Sequence, residues 1–346
     1  MELTLDAEPF NLDFTLSCGQ VFRWNKVGDW WYGVVGENVL KVKKSKDKLI
    51  FDSYPEKVNA EFIRMYFRLD DNLPHIVSQI NKDELIAEAI KQLYGLRIIR
   101  QDPWECLISY ICATNANIPF IKNMIQTLSR NHGRRIVFEN QDFYIFPKPE
   151  VLAKAVTDKL SLDNMGYRTR YIIETSKAIS SHTFDLYVVR SLDYREGKEL
   201  LLSRAKGKKL LLGVGPKAAD CVLLFSLEKT QAFPVDVWTL RIVLDYYSKL
   251  FDTPFVGGLK RKLSAGSSIT NKQYEMICDT MQQYFGKYAG YAQEYLFHFR
   301  RSAIVSMNKQ RISMRATVAS LPNAFLTYWK HNNAISNQLE MKTWRR

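Results

Sequence analysis

The sequence has no run of about 18 apolar residues, so no membrane-spanning helix is expected. Its five cysteines, Cys18, Cys106, Cys112, Cys221 and Cys278, include no CxxC pair. An odd number argues against a disulfide framework and fits a reduced, intracellular protein. Their spacing matches none of the common zinc or iron–sulfur patterns, so no metal and no cofactor is expected. Internal repeats and low-complexity tracts are lacking as well. The first residues, MELTLDAEPFNLDF, are acidic and polar, unlike a secretory signal or a transit peptide. Acidic residues are in the minority, with 36 Asp and Glu against 49 Lys and Arg and a formal net charge of +13. That balance favours a polyanionic partner, most simply nucleic acid. A basic enzyme without such a partner is the plainer alternative, and charge alone does not separate the two.

What is present fits a globular protein. The chain has 346 residues, 46% of them hydrophobic, enough for two or three domains with a sizeable core. Residues 20 to 52 read as antiparallel β. Val21–Trp24 and Trp30–Val35 are short apolar runs split by Lys26–Asp29, and turns are expected at Gly36–Asn38 and Ser45–Lys48. From about Pro55 to Leu96 the pattern is mixed and helical. From Pro103 it is mostly helical, and Pro119 marks a break or a new helix start. Residues 141–150 read as a loop with two prolines. Helical patterns are expected at 151–156, after Gly166, and over about 195–209. Residues 287–300 place Tyr288, Tyr291, Ala292, Tyr295, Leu296 and Phe299 on one stripe of an amphipathic helix.

The segment that carries chemistry reads GVGPKAADCVLLFSLEKTQAFPVDVW. Gly213-Val214-Gly215 is expected to join two helices by a tight turn, with Pro216 in the first turn of the second helix. The turn's backbone and the helix N-terminus suit a phosphate, and Arg204, Lys206, Lys208 and Lys209 lie just upstream. An ordinary helix–helix turn is the bland alternative. Lys217 follows two residues after Gly215. A phosphate contact is its simplest role, and a nucleophile its sharper one. An amine must be neutral to attack, and a free lysine titrates near ~10.4. Burial, a helix dipole and neighbouring cations each favour the neutral form. Asp236 follows Phe233-Pro234-Val235 and is a good N-cap for the apolar helix beginning at Val237. A capping carboxylate stays ionised, and near a sugar it can stabilise the positive charge that grows as a glycosidic bond breaks.

Lysine in the hairpin helix and aspartate before the next one resemble the helix-hairpin-helix DNA glycosylases. The segments CGQVFRW from Cys18, QDP from Gln101 to Pro103, TNANI from Thr114, Gly166-Tyr167-Arg168, and AGYAQ from Ala289 resemble the long form of 8-oxoguanine DNA glycosylase. They occur in that family's order from about residue 12 to residue 300. The resemblance implies an α+β fold: an antiparallel sheet domain with helices, TATA-binding-protein-like, over 1–97, then a two-part all-α glycosylase core over 98–301. The hairpin motif falls at about 195–228, and 302–346 form a C-terminal extension.

The resemblance also implies roles. Lys217 attacks the sugar C1′ and forms a Schiff base, so base excision is followed by β-elimination, and Asp236 assists. The Gly19 carbonyl accepts from N7–H of the oxidised base, a proton that guanine lacks. Gln293 reads the base's Watson–Crick edge, and Phe297 and Cys221 sandwich the ring. Asn115 bonds the orphaned partner base, Tyr167 wedges into the stack, and Gly213 and Gly215 hold phosphate. The implied partner is damaged double-stranded DNA, met by a monomer inside the cell. Bland alternatives stand beside several of these: core packing for Phe297, Cys221 and Tyr167, a surface place for Gln293, and a C-cap for Asn115 or Asn117. The chain departs from the family at Ala116, at Phe120 where an arginine reads the opposite cytosine, at Trp238 where a histidine is expected, and at Leu212 where proline is common. A relaxed opposite-base preference follows from Phe120, which donates no hydrogen bond. Two other readings remain: a related glycosylase for another damaged base, which Lys217 and the lack of a cysteine cluster disfavour, and a non-catalytic DNA-binding module, for which Asp236 is superfluous.

Overall fold

In the computed structural model the described residues are 1–5, 9–155, 165–205 and 207–302. The expected C-terminal extension beyond residue 302, and Lys206 of the basic cluster, lie outside them.

β-branched and aromatic residues at alternate positions build a five-stranded antiparallel sheet in the order β1-β5-β4-β3-β2. Its strands are β1 (Glu2–Thr4), β2 (Trp24–Val27), β3 (Trp30–Val35), β4 (Asn38–Ser45) and β5 (Lys48–Tyr54). Leu40, Val42, Leu49 and Phe51 are buried on its inner side, against the helices Leu12–Ser17 and Ala60–Tyr66. Trp24 lies opposite Gly33, whose added Cβ would stand 2.3 Å from the indole. Only glycine lets that ring cross the neighbouring strand. The Trp24 indole N–H then donates to Tyr66 Oη at 2.9 Å, tying sheet to helix.

A second core is helical. It runs from Leu73 to Leu96 in sequence, through the helix Pro103–Cys112, to the stripe of Tyr291, Tyr295 and Leu296. The segment between Cys18 and Trp24 straddles both cores: Cys18 and Phe22 pack into the helical one, Val21 and Trp24 into the sheet. Buried Gln20 pins this crossing. Its amide donates to the carbonyls of Thr15 (3.0 Å) and Arg97 (2.8 Å) and accepts from Ile99 N–H (2.8 Å). Satisfying a buried amide this fully makes a rigid junction.

Four expectations need correction. The second strand is Trp24–Val27, not Val21–Trp24, because Gly28 (φ +59°) closes a tight turn onto β3. Part of the expected 141–150 loop is a strand: Arg135–Phe138 pairs with Gln141–Tyr144 across Glu139 and Asn140, both at positive φ. The helix expected over 195–209 ends at Leu201, and Arg204–Ala205 pairs with Lys208–Lys209 around Gly207 (φ +77°). The hairpin glycines therefore follow a small ladder rather than joining two helices directly. Asn117 caps the start of the helix Ile118–His132, accepting from Phe120 N–H at 2.9 Å, instead of ending the helix before it.

Candidate active site

Gly213 adopts φ +87°, and a Cβ there would meet the Tyr171 side chain at 2.7 Å. Gly215 caps the helix Pro216–Ser226, and Pro216 occupies its first turn. Lys209 donates to the Val214 carbonyl at 2.6 Å, so the small ladder braces the hairpin. Burial, then the charge of Arg204, lowers the Lys209 pKa.

Lys217 sits in the first turn of that helix, partly buried, with Nζ 4.7 Å from the Tyr110 ring centroid. Tyr110 reaches in turn to the Gln20 carbonyl, next to Gly19. Cys221 lies one turn beyond Lys217 and is 3% exposed. Burial pushes its thiol up to about 12, against the pull of Lys217, which also bonds it. Asp236 accepts from Thr239 N–H at 2.7 Å as the N-cap of the helix Val237–Tyr246. Its charge reaches Cys221 and Glu294, and the charge of Lys217 reaches both as well. The Lys217 amine and the Asp236 carboxylate therefore both act on the Cys221 thiol, and the region around it is the candidate catalytic space.

The helix over residues 289–302 closes that space. Gln293 is buried, and its amide donates to Thr239 Oγ1 at 3.2 Å, beside the Asp236 cap. Its Oε1 is buried without a partner among the described residues. Phe297 approaches Gly19 (φ +113°): a Cβ on that glycine would lie 3.6 Å from Phe297 Cε1, 3.0 Å from Ile118 Cδ1 and 2.7 Å from Arg301 Nη1. Any larger residue would clash. Lys217, Asp236, Gly19, Cys221, Gln293 and Phe297 are thus brought to one place, and the surface alternative for Gln293 is excluded.

A second group lies along the loop from Thr114 to Asn117. Asn115, at φ +50°, Phe120 and Tyr167 are exposed. Tyr167 Oη donates to the Thr114 carbonyl at 3.1 Å. Between these side chains lies Arg168, whose guanidinium carbon is 4.6 Å from the Tyr167 ring and 5.9 Å from that of Phe120. It donates to the carbonyls of Thr114 and Asn115. Ile118 links this group to Gly19. Trp238, in place of the expected histidine, carries the Arg241 guanidinium over its ring at 5.0 Å.

Sequence reasoning gave no role to Arg168, Glu294 or Arg301. The Gly166-Tyr167-Arg168 triplet was visible, and a charged residue between Ala292 and Tyr295 of an apolar stripe was itself a signal. Glu294 is 3% exposed, with Oε1 unpartnered among the described residues. Burial raises its pKa, opposed by a hydrogen bond with Cys18 and by the charge of Arg301. Arg301 offered no signal, because only the fold brings it to Gly19.

Comparison with known proteins places this geometry. Residues 2–107 match the family described as 8-oxoguanine DNA glycosylase, N-terminal domain. The chain is 31% identical to the N-glycosylase/DNA lyase of Saccharomyces cerevisiae, over 86% of this chain and 85% of that protein. Among solved structures, MBOgg1 in complex with a low-affinity DNA ligand superposes with a TM-score of 0.72 at 33% identity, covering 85% of this chain and 93% of that one. The Clostridium acetobutylicum 8-oxoguanine glycosylase/lyase, bound to double-stranded DNA with cytosine opposite 8-oxoguanine, gives 0.71 at 28% identity, covering 85% and 92%.

Proposed function

The chain belongs to the 8-oxoguanine DNA glycosylase/lyase family, and on that premise we propose how its own residues carry the reaction. It is a DNA repair enzyme that excises 8-oxoguanine from DNA and has associated lyase activity. Its substrate is damaged duplex DNA, held by a monomer. The hairpin of Gly213 and Gly215 takes a phosphate on free backbone N–H groups. The damaged nucleotide is extruded, at a cost of a few kcal/mol. Tyr167 wedges into the gap, and Asn115 bonds the orphaned base. The flipped base lies between Phe297 and Cys221, with N7–H on the Gly19 carbonyl. The unpartnered Gln293 Oε1 accepts from the N–H groups of its Watson–Crick edge. Guanine has an acceptor at N7, and two facing acceptors cost ~1–3 kcal/mol.

The Lys217 amine attacks C1′ as the C1′–N9 bond breaks, and the bonding pair leaves with the base, which takes up a proton. The Asp236 carboxylate stabilises the positive charge on the sugar during that step. The attacking nitrogen loses its proton, the sugar ring opens, and the resulting iminium makes the C2′ proton acidic. Its removal expels the 3′ phosphate by β-elimination. Cys221 keeps its thiol protonated, so it packs on the base without competing as a nucleophile.

The convergence of Lys217, Asp236 and Gln293 from separate helices, with Thr239 touching both Asp236 and Gln293, carries this reading. The test is release of free base under single turnover. Rapid release of 8-oxoguanine from a duplex opposite cytosine, with none from the matched guanine duplex, supports it. Equal release of both would overturn the base assignment.

A further inference from the structure

The helix over 289–302 holds a concentration of buried polar atoms that have no hydrogen-bond partner among the described residues: Gln293 Oε1, Glu294 Oε1, His298 Nδ1 and Arg301 Nη1. Buried polar groups in folded proteins are almost always met, so a cluster of unmet ones beside Gly19 and the Asp236 cap marks where a polar ligand arrives. Gln293, Phe297 and Arg301 follow one another at four-residue spacing and share one stripe. Gln293 is assigned above to the Watson–Crick edge of the base and Phe297 to its face. The far end of the stripe has no assignment.

Arg301 stands at that end. Its Nη1 lies 2.7 Å from where a Cβ of Gly19 would be, and its guanidinium carbon is 5.6 Å from the Phe297 ring centroid. Nη2 donates to the Ser17 carbonyl, which fixes the guanidinium beside the Cys18–Gly19 loop. Buried Glu294, which bonds Cys18, adds an acidic group on the same side. The side chain is thus held in place with one charged donor left over.

8-Oxoguanine presents a matching pattern. A base whose N7–H reaches the Gly19 carbonyl carries a carbonyl oxygen on either side of N7, O6 and O8. Both accept, and neither has a partner in the assignment of Gly19, Gln293, Phe297 and Cys221. We propose that Arg301 is a specificity-determining residue, whose Nη1–H donates to O8 of the flipped base, the carbonyl oxygen beside N7–H that guanine lacks. Gly19 and Arg301 then form an acceptor–donor pair that complements the donor–acceptor edge of the oxidised purine. Charged donors make the stronger hydrogen bonds, and a site built around one discriminates against a ligand that leaves it unmet. The inference rests on the placement of the base against Gly19 and Phe297.

The experiment compares the full chain with Arg301→Ala and Arg301→Lys in two reactions. One is release of free 8-oxoguanine from a duplex. The other is cleavage of a preformed abasic site in the same duplex, which involves no base. Arg301→Ala is expected to slow base release about tenfold or more while abasic-site cleavage stays within about twofold, and Arg301→Lys to recover part of the loss. Base release at the wild-type rate in Arg301→Ala overturns the proposal. Equal losses in both reactions overturn it too, since they make Arg301 a support of the fold. Failure of the Lys217 chemistry is a separate result, seen as absent abasic-site cleavage by the wild type, and the comparison of base release holds regardless.

Discussion

At the residue scale, Asp236 has a structural duty and, in the proposed reaction, a chemical one. It bonds Thr239 N–H at 2.7 Å as a helix cap, and its charge reaches the space shared with Lys217 and Cys221. Asparagine caps about as well as aspartate, so Asp236→Asn separates the two. Melting temperature and DNA affinity are expected to hold, while single-turnover excision falls by about 10²-fold. Equal losses of rate and stability would leave only the cap. His298 gives a test by pH. Burial, and then the charge of Arg301, lowers its pKa to about 4. The unfolded chain's histidine titrates near ~6.5. Below that value the unfolded state takes up a proton that the folded ring refuses until about pH 4. The stability tied to the neutral ring is complete above the unfolded value and is lost as pH falls through this window, roughly 3 kcal/mol in all. Thermal melts at pH 7 and pH 5 should show a larger drop for the wild type than for His298→Gln, and equal drops would contradict the placement.

At the element scale, the hairpin helix is anchored from behind. Asp220 is wholly buried and accepts from Tyr274 Oη (2.7 Å), Tyr194 Oη (2.8 Å) and Lys198 Nζ (3.0 Å). Burial works against the Lys198 charge, but Asp220 and Glu275 outweigh it and hold the pKa above the ordinary value. Lys198→Met strips Asp220 of its counter-charge and is expected to destabilise the protein by about 3 kcal/mol, read by denaturant unfolding. A neutral or stabilising result would show that the tyrosines suffice. The elements legible in the sequence are those set by local rules: Pro216 in a first turn, Asp236 as a cap, the alternation in β3 to β5. The paired segments at 135–144 and 204–209 were missed because strands this short carry too little periodicity. Their marks were a pair of residues able to take positive φ at Glu139-Asn140 and a lone glycine at Gly207. Gln20 was readable within its motif, but its place as the pin between the two cores depends on Arg97 and Ile99. Arg301 shows the limit most plainly, since no local pattern brings a residue of the last described helix to Gly19.

At the scale of the whole molecule, a net charge of +13 implies DNA binding that weakens steeply with salt, as phosphate contacts release counterions. In the proposed reading, the group around Asn115 sets how strictly the opposite base is read. Phe120 donates nothing, and the buried Arg168 guanidinium is engaged with the carbonyls of Thr114 and Asn115, which leaves the Asn115 side chain for the opposite base. We therefore expect excision opposite cytosine to exceed excision opposite adenine, guanine and thymine by about tenfold at most, the worth of one hydrogen bond. Orders of magnitude in favour of cytosine would contradict this. The proposed covalent chemistry of Lys217 is tested most directly by borohydride trapping on a duplex carrying a single 8-oxoguanine. The wild type should yield a covalent protein–DNA adduct and Lys217→Gln none. An adduct that persists in Lys217→Gln would remove Lys217 as the nucleophile.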